Sequence, residues 1–105
     1  MKASFFQNIP VRPEKEIFET LVEEKGVSIE RIVSCAHASP EGFWYDQKRN
    51  EFVLVMQGRA SIRFKDPDTT VILETGDYLH IPAHTLHRVE WTEAGVETLW
   101  LAVHY

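Results

Sequence analysis

The chain has almost no means of covalent cross-linking. Its 105 residues include one cysteine, Cys35, so no intrachain disulfide can form. A single thiol fits a reducing compartment, and a cytoplasmic location is the expectation. Long apolar runs are also missing. No segment approaches the length of a membrane span. Before Arg12 the opening MKASFFQNIPV has a single basic residue, Lys2, and no long apolar stretch, which does not read as a secretory signal. Positive charge is in deficit: 11 Lys and Arg face 16 Asp and Glu, for a net charge of −5. That balance argues against nucleic acid or an anionic membrane as the main partner. Internal repeats and low-complexity tracts are absent.

What remains is the composition of an ordinary soluble domain, 44% apolar and 26% charged. The length sets one domain as the default. Folding a chain of this size buries roughly 65% of its surface, enough for a core without metal or disulfide staples.

Residues 1–26 read as an irregular arm followed by a short helix over RPEKEIFETLVEEKG. Pro13 suits the first helical position, acidic residues fill the first turn, and Gly26 suits the stop. Ile17, Phe18, Leu21 and Val22 form one apolar stripe at helical spacing, a packing face. From Val27 the pattern turns to strands. VSIERIVSCAHA alternates loosely, and EFVLVMQG is a nearly continuous apolar run ended by glycine, as in a strand covered on both faces. RASIRFK alternates cleanly, with Ala60, Ile62 and Phe64 on one side. VILE, YLHI, HRVEW and ETLWLAVHY follow as short strands between Gly- and Pro-bearing turns. Such spacing predicts an all-β sandwich or barrel over residues 27–105.

GDYLHIPAHTLHRV holds His80, His84 and His87, spaced as if on one helix face. Pro82 breaks any such helix, so convergence of the three depends on the turn between two strands. The same stretch carries a family resemblance. The second cupin motif runs Gly, five residues, Pro, one residue, Gly, two residues, His. Here Gly76, Pro82 and His87 hold their places, with His84 standing for the second glycine and Trp91 where the motif usually closes on Asn. The end of the first motif, Glu, six residues, Gly, is matched by Glu51 and Gly58. Its usual His-x-His is replaced. With three intervening residues those positions fall on Tyr45 and Gln47, with four on Trp44 and Asp46. Over roughly residues 36–105 the chain resembles a small single-domain cupin, in a subgroup lacking the first-motif histidines. The resemblance implies a jelly-roll barrel with a pocket inside it, and a homodimer.

It also implies roles. His87 would point into the barrel and bind metal. Glu51 opens an apolar strand, where a carboxylate is costly unless paired or metal-bound. If it faces inward, Val53, Val55 and Gln57 share its face, and Phe52, Leu54 and Met56 need a cover from the helix or a partner subunit. Gln47 and Tyr45 join Glu51 if the strand runs regularly through 48–50. A loop there would bring in Asp46 instead. These groups could ligate a divalent cation or simply hydrogen-bond a ligand. Trp44, His80 and His84 are candidate pocket or rim groups.

Three functions follow. The leading expectation is a cupin holding a divalent metal through Glu51, His87, Gln47 and Tyr45 and taking a small polar metabolite. Its chemistry would be of dioxygenase, decarboxylase or isomerase type. The alternative is a metal-free small-ligand sensor or storage module, because one imidazole and one carboxylate are poor in nitrogen donors. The third is metal-free proton transfer, with Glu51 and His87 as acid and base.

Overall fold

A computed structural model describes all residues, 1–105. Eight strands form two antiparallel sheets and there is no helix: β1 (Ile17–Glu24), β2 (Val27–Ser34), β3 (Glu51–Gln57), β4 (Ala60–Phe64), β5 (Thr69–Leu73), β6 (Tyr78–Ile81), β7 (His87–Thr92) and β8 (Thr98–His104). One sheet has the order β1-β2-β8-β3-β6 and the other β5-β4-β7. Their facing sides interdigitate around Val53, Val55, Ile62, Leu73, Ile81 and Trp100. Each of these is an inward position of a period-two strand. No helix in the chain is long and apolar enough to cross a membrane.

The expected N-terminal helix is not formed. Ile17–Glu24 is instead an edge strand paired antiparallel with β2. The apolar stripe that mimicked helical spacing lies on a bulged strand, whose register slips between Thr20 and Val22. Ile, Thr, Val and Phe suit that conformation. Gly26 stops no helix. Lys25 (φ 51°) and Gly26 (φ 80°) are the two centre residues of a tight β1–β2 hairpin, in which both positions need positive φ.

The arm before β1 is fastened by Arg31, an outward residue of β2 that is nonetheless buried. Its guanidinium donates to the carbonyls of Phe5 (2.8 Å) and Gln7 (2.7 Å) and pairs with both oxygens of Glu19 (2.8 and 3.0 Å). A second irregular segment runs along the free edge of β7. The Ala36 and Ser39 amides donate to Glu93 and Val89, and Tyr45 bridges His87. That edge contact delivers residues 45–47 to the site.

Candidate functional site

A cavity of about 210 Å³ lies between the sheets. β3 supplies its central polar group. Glu51 is the first residue of the strand and alternates inward with Val53 and Val55. The alternation ends at a bulge, where the register slips between Val55 and Gln57. Gln57 consequently leaves the lining and donates from its side chain to the Glu97 carbonyl.

Glu51 is 8% exposed and is not alone. One carboxylate oxygen lies 3.2 Å from His104 Nε2 and the other 3.5 Å from His87 Nε2. The far side of the His104 ring, Nδ1, faces a second carboxylate, Glu30, at 3.2 Å. Strand register explains the convergence. His104 of β8 sits directly opposite Glu51 of β3, Glu30 is on neighbouring β2, and His87 opens β7 in the facing sheet. Burial pushes the Glu51 carboxyl up, but the hydrogen bond from His104 first, and then His87 in its protonated form, together with their charges, override it and hold the group at about 2. His104 is raised for the matching reason, first its hydrogen bond to Glu51, against a smaller opposing effect of burial.

The His87 ring is fixed by a different contact. Its Nδ1 lies 2.8 Å from the Thr85 carbonyl, which can only accept, so Nδ1 carries the proton. In the neutral imidazole, Nε2 is therefore a bare acceptor turned toward Glu51. Tyr45 stacks on this ring at 5.3 Å. Burial, and then the charges of Glu16 and Glu51, raise its hydroxyl, which stays protonated.

Tyr45 and Gln47 line the cavity with Glu51, and Asp46 does not. The parity expected of a continuous strand is thus obtained by another route. Residues 48–50 are not strand; the pairing of Tyr45 with His87, and of the His84 amide with the Gln47 carbonyl at 2.7 Å, sets the facing. Asp46 turns out to meet the His84 ring at 2.7 Å on the exposed rim. His84, standing where the motif has glycine, has a φ of 61°. His80 lies outside the cavity against the Tyr105 hydroxyl. Trp44 also lies outside it, ringed by Arg63, Lys65 and Arg88 at 5.6–6.0 Å. The turn that carries the histidines therefore brings only His87 inward.

Three ionisable lining residues were not singled out from sequence: His104, Glu30 and Glu16. Alternation along β8 from Trp100 through Ala102 to His104 was a usable signal for the first. Alternation from Ile32 to Glu30 was one for the second. Glu16 had none, since it lay in the segment assigned to a helix.

No group of three or more His, Cys, Asp or Glu side chains is arranged to hold an ion. Both His104 nitrogens are turned on carboxylates, which makes this ring a proton donor and not a lone-pair ligand. Tyr45 and Gln47 stand where imidazoles would be needed. The donor set does not fit a closed transition-metal site.

The cupin domain family matches residues 37–104. The chain belongs to the cupin family. Among solved structures, a protein of Ralstonia eutropha JMP134, provisionally named a mannose-6-phosphate isomerase, is similar at 46% identity and a TM-score of 0.95. The match covers 99% of this chain and 96% of that one. A cupin superfamily protein of Desulfitobacterium hafniense DCB-2 shares the fold at 21% identity and a TM-score of 0.74, over 91% of this chain and 82% of that one. So does hydroxypropylphosphonic acid epoxidase of S. wedmorenis, at 16% identity and 0.73, over 88% of this chain and 51% of that one. No curated protein matches the chain. The two more distant likenesses concern fold alone. In this cupin, Glu16 lies outside the matched domain and yet lines the cavity.

Proposed function

We propose that this cupin binds a small polar metabolite inside the barrel without a resident metal, and that its polar wall can exchange a proton with the bound molecule. The observation that carries this reading is Glu51, ionised and placed between His104 at 3.2 Å and His87 at 3.5 Å, in a cavity whose wall mixes apolar with acidic and imidazole side chains. A buried carboxylate with imidazoles on both oxygens is preorganised for a ligand hydroxyl or amine. The name of the Ralstonia relative points to sugar isomerisation, in which a proton moves between adjacent carbons. That fits the acid–base pair. The phosphate in that name fits less well, because no Lys or Arg lines the cavity.

The test is a screen of small hydroxylated and amino metabolites by ligand-observed NMR, in the presence of a chelator. Binding that survives chelation and is lost in Glu51→Gln supports the reading. Hits that vanish on chelation, or that ignore Glu51→Gln, contradict it. A second copy of the chain is the proposed cover for the half-buried outer row Phe52, Leu54 and Met56 beside exposed Tyr78. Light scattering would report it as a dimer mass.

A further inference from the structure

We propose that the cavity selects a small organic cation bearing an ammonium group, and that Glu16 is the carboxylate that determines this preference. The proposal rests on the small-ligand reading above and names the chemical class.

Donor and acceptor accounting leads to it. Five ionisable carboxylate or imidazole groups line the cavity, Glu16, Glu30, Glu51, His87 and His104, and no Lys or Arg does. The His104 protons are committed to Glu30 and Glu51. His87 is 4% exposed, and its Nε2 has only the long 3.5 Å approach to Glu51 Oε1. In the neutral ring these are two acceptors facing each other with no proton between them. Nε2 fronts the cavity, and the partner it can take there is a ligand N–H or O–H.

Glu16 adds a second acceptor at a different place on the wall. The Trp100 indole donates to Ser34 Oγ at 3.2 Å, so the Ser34 hydroxyl proton is free to go to Glu16 Oε2. Ser34 is fully buried, and this relay fixes the Glu16 carboxylate while leaving its other oxygen available. Phe18, Tyr45 and Trp100 also line the cavity, and aromatic faces attract a cation further. Carboxylates, a bare imidazole nitrogen and aromatic rings together fit an ammonium group and repel an anion. Lys48 and Arg49 line an adjoining polar basin, which shares Glu30, Gln47 and His104 with the cavity, and there Arg49 donates to Ser28 Oγ at 3.0 Å.

Three probes of one shape separate the cases: cyclohexylamine, cyclohexanol and cyclohexanecarboxylate, titrated at neutral pH by ligand-observed NMR. The expected order is ammonium over alcohol over carboxylate, with about tenfold between the first two from charge-assisted over neutral hydrogen bonding. Glu16→Gln should bring amine binding down to that of the alcohol. Equal binding of amine and alcohol by the wild type overturns the proposal while the small-ligand reading stands. So does an unchanged preference in Glu16→Gln, or a preference for the carboxylate that Lys48→Ala abolishes. Failure of all three probes to bind overturns both. The wild-type series decides even if the variant does not fold.

Discussion

Glu51 Oε2 lies 3.2 Å from Nε2 of His104, its register partner across β3 and β8. The raised His104 and the lowered Glu51 are one interaction seen from its two ends. Each end sets one limb of a stability profile. Glu51, at about 2 against an ordinary 4.5, contributes stability that is present above pH 4.5 and lost as pH falls toward 2. His104, held above 6.5, contributes stability that is complete below 6.5 and lost as pH rises through its folded value. The fold should therefore be most stable between 4.5 and 6.5. Urea midpoints measured across the range should fall on the alkaline side in wild type and stay flat there in His104→Gln. A wild type as stable in mild alkali as at its optimum would refute this.

Metal content should be low. Elemental analysis of untagged protein is expected to find far less than one ion per chain, and no difference in His87→Ala, because His104 is occupied by Glu30 and Glu51. Near-stoichiometric metal in wild type, lost in the variant, would restore the metal reading of Glu51 and His87.

Gly58 closes β3 at a φ of +87°, and a Cβ there would lie 2.5 Å from Thr98 Oγ1 and 2.9 Å from Thr98 Cα. Both the backbone and the neighbour oppose a side chain. Gly58→Ala should cost at least about 2 kcal/mol in denaturant unfolding. An unchanged midpoint would mean that the β3–β4 turn can shift away from β8.

Arg31 is the clasp of the N-terminal arm. Arg31→Met leaves Glu19 and the Phe5 and Gln7 carbonyls without their donor, at a cost on the order of 3 kcal/mol. Limited proteolysis should then cut within the first ten or so residues while the barrel persists. Equal resistance of variant and wild type would show that the arm is held by other contacts.

Much of this architecture was legible in the residues. The strands from β2 to β8 follow from period-two alternation and Gly/Pro punctuation, and Glu51, Tyr45, Gln47 and His87 emerged as a set from motif spacing. The helix failed because Ile17, Phe18, Leu21 and Val22 satisfy a bulged strand as well as a helical stripe, and Lys25-Gly26 is a hairpin turn as readily as a helix stop. The site was only half legible. Alternation places His104 on the face of Trp100 and Ala102, but nothing local states that β8 pairs with β3 in the register that sets His104 against Glu51. Long-range register also hid Glu30, and the helical reading of its segment hid Glu16. His80 and His84 drew attention by their spacing along the chain, and strand facing and a positive-φ turn send them outward.

The most direct test is an NMR titration of the His104 ring in the free protein. The account predicts a midpoint above 6.5, with both ring nitrogens protonated below it and a return toward 6.5 in Glu51→Gln. A midpoint at or below 6.5, with a bare Nε2 facing Glu51, would contradict it and make His104 a lone-pair donor available to a metal.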